Sequence, residues 1–380
     1  MQRRDNMASK HESLSAGPGK KRREPISNTN LLLAITICTF IGMYALAMLV
    51  WGGGFRNPQQ FLDIFNNNAF LIVIACGMTV VMIAGGIDIS VGGVTALVTM
   101  ASVVYLNSGN GSVFGSLCIA LGIGLAFGLI QGLLVAYLDV QPFIVSLAGM
   151  FFARGMITII SNDPQTATLE SFLALKAFRI TIPGIGYYAK NGNFIPATLE
   201  PGVIVGLAVV LVIFAMLRWT RFGRNLYAVG GNKQSALMLG INVKRTKLLS
   251  YLLCGLLAGI GGFVYLLHTG AGDAANATAA EMQAIASAII GGTLLTGGVG
   301  NVVGTLFGVL SLMTINNIVR ASGLRDPWWQ SITTGLMLCF FILLQSVVLS
   351  VREKQGVSVL PAWLKGKQGD AAGAVTGGKA

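Results

Sequence analysis

Long apolar runs separated by short polar stretches recur along the whole chain. Ten of these runs are predicted as membrane segments, at 31–51, 68–84, 88–106, 113–137, 141–160, 202–219, 248–268, 281–296, 300–320 and 329–351. A helix of about 20 apolar residues crosses a hydrocarbon core of roughly 30 Å, whereas the strands of a closed barrel alternate between apolar and polar residues. The pattern therefore predicts an all-α polytopic membrane protein with about ten transmembrane helices.

Basic residues are concentrated in three stretches that each adjoin an apolar run. Residues 1–30, 218–247 and 352–380 hold 7, 7 and 5 of the 26 Lys and Arg residues, although only 11% of the chain is charged. Basic flanks mark the cytoplasmic side of a membrane protein. Both termini and the 218–247 loop are therefore predicted to be cytoplasmic, and the net charge of +12 does not indicate binding to nucleic acid.

These features divide the chain into three parts. A cytoplasmic basic tail (1–30) precedes a transmembrane domain (31–351), which includes the cytoplasmic loop at 218–247. A second cytoplasmic tail (352–380) ends in "KGKQGDAAGAVTGGKA", and this low-complexity composition predicts disorder.

Two glycine clusters interrupt the apolar sequence. "GGIDISVGG" (85–93) lies between the second and third predicted segments, and "IIGGTLLTGGVGN" (289–301) lies between the eighth and ninth. Irregular backbone persists inside a membrane only where protein or water satisfies its polar groups, so interrupted helices are predicted at both places. An inverted duplication of five helices is a hypothesis. A five-helix repeat would place the second cluster after the seventh segment, but it follows the eighth, one span later.

The first cluster carries a carboxylate and a hydroxyl, Asp88 and Ser90. A carboxylate is costly in lipid, so Asp88 is expected to face protein or water. Two interpretations stay open. Asp88 and Ser90 line a polar path, or Asp88 caps the helix that starts near residue 89 and contacts no substrate.

Other polar groups within the apolar runs are sparse and are mostly amides. The candidates for a substrate path, besides Asp88 and Ser90, are Asn66, Asn67, Asn68, Asn316 and Asn317. Amides suit an uncharged polyol, whereas Arg154 is the candidate partner for the carboxylate of an amino acid. Two His residues and five Cys residues without ligand spacing predict no metal site, no cofactor and no catalytic residues.

The sequence contains no G-x-x-x-x-G-K-[ST] motif, so this chain is not expected to bind a nucleotide by that route. Residues 221–251 form a basic loop in which Lys233–Leu239 favour a short helix ended by Gly240. Such a helix can enter a groove of a partner protein. The alternative is a basic loop that only fixes topology. The candidate coupling residues are Asn232, Lys233, Gln234, Ser235, Ala236, Leu237 and Gly240.

Four motifs in order resemble one family over about residues 30–350. They are "MIAGGIDISVGGVTAL", "VQPFIVSLAGMFFARGM", "TRFGRNLYAVGGN" followed by "LGINV", and "AIIGGTLLTGGVGNVVGTLFG". The chain is similar to the permease subunits of bacterial ABC importers for ribose and related monosaccharides, in the branch assigned to galactofuranose, fructose or ribose. Members often carry acidic residues just after "GGN", where this chain has Lys233, Gln234 and Ser235.

The resemblance implies a multi-pass protein of the bacterial inner membrane that is not itself an enzyme. It implies four partners: a cytoplasmic ATP-binding subunit, a periplasmic sugar-binding protein, a second permease (a copy or a paralogue) and membrane lipid. Two other functions stay open. One is an ABC permease for branched-chain amino acids or nucleosides, and the other is an ion-coupled secondary transporter.

Overall fold

The computed structural model describes residues 28–52, 54–188 and 193–354, so most of the two predicted tails, 1–30 and 352–380, lies outside the described residues. The helices of this part of the chain are α1 (Asn28–Val50), α2 (Pro58–Ile83), α3 (Ser90–Leu106), α4 (Val113–Tyr137), α5 (Pro142–Ile160), α6 (Glu170–Ala177), α7 (Pro201–Trp219), α8 (Arg221–Gly231), α9 (Lys233–Met238), α10 (Val243–Thr269), α11 (Ala280–Ile290), α12 (Val302–Ala321) and α13 (Pro327–Lys354). The strands are β1 (Gln165–Thr166), β2 (Ile180–Tyr188), β3 (Phe194–Leu199) and β4 (Ala271–Gly272).

Each of the ten predicted membrane segments coincides with a helix. They are, in order, α1, α2, α3, α4, α5, α7, α10, α11, α12 and α13. Among the described residues, eight of these helices are long and apolar enough to cross a membrane, and α3 and α11 are shorter. The prediction of an all-α polytopic membrane protein with interrupted helices is confirmed.

The two largest errors in the predicted boundaries are at the start of the second segment and the end of the eighth. The second segment starts at Pro58 instead of residue 68, because Asn57 caps the helix by accepting a hydrogen bond from the Gln59 N–H at 2.9 Å. The polar residues up to Asn68 therefore lie within α2 and not before it. The eighth segment ends at Ile290 instead of residue 296, where the backbone turns at Gly292 with a φ of +89°.

Small residues bring α4 and α10 into close contact near the centre of the bundle. Gly124 and Gly128 of α4 face Gly255 and Gly259 of α10, and a Cβ atom at Gly255 would lie 2.7 Å from the Gly128 Cα. Glycines spaced four residues apart allow the backbones of membrane helices to approach in this way. Helix α2 also packs against α10, and most of its apolar length is buried inside the protein.

The packing supports the inverted duplication for four of its five helices. Helix α10 of the second half packs on α3 and α4 of the first half, where α3 also packs on α5. Correspondingly, α2 of the first half packs on α11 and α12 of the second half, where α11 also packs on α13. Exchanging α2–α5 with α10–α13 therefore preserves the contacts. The first helices of the two halves differ, because α1 packs against α12 whereas α7 packs against α2.

The two ends of the bundle carry different additional structure. One end, named here the coupling end, holds α8 and α9. The opposite end, named the hairpin end, holds α6 and the antiparallel β2–β3 hairpin, in which Ile180 pairs with Leu199. At the hairpin end Glu200 accepts from Arg179 at 3.0 Å and lies 2.8 Å from His268 Nδ1, which ties the hairpin to α10.

Candidate functional site

The backbone between α2 and α3 leaves the helical path at Gly85, which has a φ of +80°. Asp88 is 1% exposed, and its Oδ1 accepts from the Ser90 N–H at 3.0 Å and from the Ser90 hydroxyl at 2.6 Å. Gln131 Nε2 donates to the Ser90 hydroxyl oxygen at 2.7 Å. Gln131 lies six residues before the end of α4, about 9 Å from the coupling end. Asp88 therefore has the geometry of a helix cap within the bundle, and its contact with a substrate stays a prediction.

A second break, between α10 and α11, is the counterpart of the first in the inverted arrangement. It begins at Gly270, with a φ of +73°, and passes through Ala277 and Ala279 at φ values of 51° and 61°. Arg154 of α5 donates to the backbone oxygens of residues 274, 276 and 277 at 2.8, 2.8 and 3.1 Å. This break was not predicted, because the 85–93 cluster was paired with the glycine cluster at 289–301.

The two breaks bring the N-termini of α3 and α11 together. A Cβ atom at Gly92 would lie 3.2 Å from the backbone N of Glu281 and would overlap its carboxylate. Gly93 faces Met150, which lies eight residues, or about 12 Å, along the 19-residue helix α5. The meeting point is therefore near the middle of the bundle. Glu281 was not among the predicted site residues.

The predicted amides are not brought together with Asp88 and Ser90. Asn66 is buried, donates to Thr198 O at 3.1 Å and accepts from the Glu200 N–H at 2.9 Å, so it fastens α2 to the hairpin end. Asn68 Nδ2 donates to Ile64 O at 2.8 Å, within α2, and Asn67 is exposed. These amides lie about 25 Å along α2 from its break.

Asn316 is the predicted amide with unsatisfied polar atoms. It is 1% exposed, and neither its Oδ1 nor its Nδ2 has a hydrogen-bond partner in the described part of the chain. The Thr79 and Thr305 hydroxyls meet at 2.7 Å between α2 and α12, and Asn68 and Asn316 lie eleven residues from them toward the hairpin end. Asn68 and Asn316 are therefore level with each other, and Asn317 beside them is partly exposed.

The predicted helix at 233–239 is present as α9, and Gly240 ends it with a φ of +76°. Asn232 caps the helix by accepting from the Ser235 N–H at 2.9 Å. Ala236 is buried, whereas Leu237 is 48% exposed, Met238 82% and Leu239 72%. The predicted coupling residues therefore divide into a cap, a buried anchor and an exposed apolar surface. Met238 and Leu239, which the prediction omitted, extend that surface. Lys233 lies 3.3 Å from Asp139, and Gln234 is exposed.

Helix α8 contacts the two glycine loops directly. Gly298 N–H donates to Ile83 O at 2.9 Å, and a Cβ atom at Gly230 would overlap that oxygen and lie 2.6 Å from the Gly298 nitrogen. Tyr227 donates to Gly300 O at 2.9 Å, and burial raises the pKa of its hydroxyl to about 12, so it remains a donor. Beside this junction, a cavity of about 400 Å³ is lined by Gly85, Gly86, Ile87, Gln141, Pro142, Phe143 and Leu295.

Comparisons with known proteins identify the family of this chain. The family model "Branched-chain amino acid transport system / permease component" matches residues 60–342. The chain is 38% identical over 316 residues to the inner membrane ABC transporter permease protein YjfF of Escherichia coli K12, covering 83% of this chain and 92% of that protein. It is 35% identical over 289 residues to the fructose import permease protein FruG of Bifidobacterium longum, covering 76% and 83%.

A third relative is the ribose import permease protein RbsC of Bacillus subtilis, 34% identical over 309 residues, covering 80% of this chain and 91% of that protein. No solved structure matches the chain significantly. The family model covers most of the chain, and its members are translocation components. The chain therefore belongs to the family of branched-chain amino acid transport system permease components.

Proposed function

We propose that this chain is the permease subunit of an ATP-driven importer that receives a monosaccharide from a binding protein. The observation that carries this proposal is its similarity, over most of its length, to permeases named for fructose and ribose import. The permease does no covalent chemistry in this proposal, because a separate subunit hydrolyses ATP.

The coupling end is the proposed docking surface for the ATP-binding subunit. Its exposed apolar residues, Leu237, Met238 and Leu239, lie on and just after a short helix with basic neighbours. Such a helix fits an apolar groove of a partner. The basic 218–247 segment and the positive-inside rule favour a cytoplasmic location for this end and for both termini.

The movement that drives transport is proposed to be transmitted from α8 to the two glycine loops. A displacement of α9 by the ATP-binding subunit would move Gly230, which touches the end of α2 and the loop before α12. Both interrupted helices would then shift between outward-open and inward-open states around a site near the midplane. The cavity beside Gly85 is the proposed exit for the sugar. The volume of this cavity, about 400 Å³, is larger than that of a monosaccharide.

An uncharged substrate is favoured over an amino acid by the position of Arg154. Three of its five guanidinium N–H groups already donate to backbone carbonyls, which engages Arg154 in holding the segment before α11. The proposal includes a second permease, either a copy or a paralogue, which would cover the exposed Ala274, Ala275 and Thr278 of the irregular segment before α11.

Uptake of labelled solutes into proteoliposomes tests the proposed substrate class. The liposomes would hold this chain, its ATP-binding subunit and its binding protein, with D-ribose, D-fructose, D-galactofuranose, L-leucine and uridine outside. We expect uptake of one sugar and none of leucine or uridine. Uptake of leucine or uridine in place of a sugar would contradict the proposal and support the alternative permease functions.

Substitution of Asp88 separates capping from substrate contact. Asparagine keeps an Oδ1 that can accept both hydrogen bonds from Ser90, so Asp88→Asn is expected to leave uptake near the wild-type rate. Asp88→Ala is expected to destabilise the protein by about 1–3 kcal/mol, because it leaves buried donors unpaired. Thermal unfolding in detergent and uptake in proteoliposomes measure the two effects. A large loss of uptake in a normally assembled Asp88→Asn variant would place Asp88 on the sugar path instead.

A further inference from the structure

Two helix N-termini face each other near the middle of the bundle, and each carries a carboxylate. Asp88 precedes α3, and Glu281 is in the first turn of α11. The free N–H groups and the positive dipole end of a helix favour oxygen atoms that accept hydrogen bonds. The meeting point is therefore suited to a ligand with several oxygen atoms.

The two carboxylates differ in their hydrogen bonds. Asp88 Oδ1 accepts from two donors of Ser90. Glu281 is 9% exposed, and its Oε2 is buried without a hydrogen-bond partner among the described residues. An unpaired buried acceptor of this kind costs roughly 1–3 kcal/mol, and more when it is charged. A ligand donor that reaches Oε2 would remove this cost.

Arg154 is close to Glu281 but is not its partner. Its guanidinium donates to Ala274 O, Asn276 O and Ala277 O, so it holds the segment that leads into α11. A positive group and two helix N-termini disfavour a cation, whereas the carboxylates of Asp88 and Glu281 disfavour an anion. The charges of the site therefore favour an uncharged ligand whose hydroxyl groups donate hydrogen bonds.

The N-terminal end of α11 lies at the surface of the protomer. Ala274, Ala275 and Thr278 are exposed, and Met282 beside Glu281 is 50% exposed. Exposed irregular backbone at this depth requires a water-filled path or another protein subunit. Glu281 is therefore one residue away from this exposed surface.

We propose that Glu281 accepts hydrogen bonds from the hydroxyl groups of the transported sugar near the midplane. In this proposal Arg154 is the positioning residue for α11, the helix that carries Glu281. This inference rests on the proposed function and adds a substrate contact to it. A single carboxylate carries this contact, which suits a step that must also release the sugar.

Removal of the charge from Glu281 tests the contact. Hydrogen bonds to a carboxylate are about twice as strong as neutral ones, so we expect Glu281→Gln to lower uptake about tenfold and Glu281→Asp to restore part of it. ATP hydrolysis stimulated by the loaded binding protein is expected to persist. The matched control is Glu170→Gln, an exposed carboxylate on α6, which is expected to have no effect.

Deoxy sugars distinguish a direct contact from a structural role. The probe is the sugar transported fastest by the wild type, among D-ribose, D-fructose and D-galactofuranose, with its monodeoxy analogues. If Glu281 binds a hydroxyl, the analogue lacking that hydroxyl is transported equally by wild type and Glu281→Gln. An equal tenfold loss for the parent sugar and every analogue, a simultaneous loss of stimulated ATP hydrolysis, or unchanged uptake would overturn the inference. Absence of sugar uptake by the wild type would instead refute the proposed function.

Discussion

Replacement of Gly230 by alanine is expected to abolish most sugar uptake while leaving the protein folded. The added methyl group would overlap Ile83 O and lie 2.6 Å from the Gly298 nitrogen, two atoms that share a hydrogen bond of 2.9 Å. Overpacking of this kind costs about 1–3 kcal/mol. A coupling free energy of that size corresponds to about a 5- to 150-fold change. Uptake and ATP hydrolysis measured together in proteoliposomes check the prediction, and hydrolysis is expected to continue without uptake.

The neighbouring glycine provides a matched control. A Cβ atom at Gly231 meets no other atom within 4 Å, so Gly231→Ala is expected to transport at the wild-type rate. Both substitutions add one methyl group to the end of α8 and have the same effect on helix propensity. Equal uptake by Gly230→Ala and Gly231→Ala would show that the contact between α8 and the glycine loops does not transmit the movement.

Replacement of Gly255 by alanine is expected to have the largest effect on stability. The new Cβ atom would overlap Gly124 O and lie 2.7 Å from both the N and the Cα of Gly128, which are backbone atoms that cannot rotate away. Helices α4 and α10 would have to separate, and we expect a loss of about 1–3 kcal/mol or more. The apparent unfolding temperature in detergent, with the yield of monodisperse protein, measures the effect.

Gly122 of α4 is the control for this prediction. It lies two residues from Gly124 but faces open space, with no atom within 4 Å of an added Cβ. Gly122→Ala is therefore expected to unfold at or slightly above the wild-type temperature, because alanine favours the helix. An unfolding temperature of Gly255→Ala equal to that of Gly122→Ala would mean that the close crossing of α4 and α10 is not needed for the fold.

The membrane segments were predictable because burial in lipid requires long apolar runs. The ten runs all became helices, including the short helix α3, which begins at Ser90 within "GGIDISVGG". The end of α9 at Gly240 was also predictable, since a glycine there takes a left-handed conformation at no steric cost. These features depend on local sequence alone.

The break before α11 could not be predicted from local sequence. Ala277 and Ala279 adopt positive φ values that alanine rarely takes, and they are held there by contacts with distant parts of the chain, such as that from Arg154. Glu281 lies in an ordinary apolar run, so its place opposite Gly92 follows only from the packing of α3 on α11. The symmetry of the two halves was the signal that could have located it.

The asparagines at 66–68 were predicted to lie just before a helix, but they lie within α2. A run of three amides before an apolar stretch is typical of a helix start, but Asn57 caps the helix earlier. Asn66 is used instead to hold residues 198–200 by hydrogen bonds across the chain. These tertiary hydrogen bonds give Asn66 a structural role for which the sequence contains no local signal, and the contact of the three asparagines with a substrate stays a prediction.

The dependence of uptake on ATP distinguishes the proposed importer from a gradient-driven transporter. Uptake of a labelled monosaccharide would be measured in proteoliposomes that hold this chain, with and without the ATP-binding subunit, the binding protein and ATP. We expect uptake only when all of these are present, and none in response to a proton or sodium gradient. Uptake driven by such a gradient in the absence of the ATP-binding subunit would contradict it and identify an ion-coupled transporter.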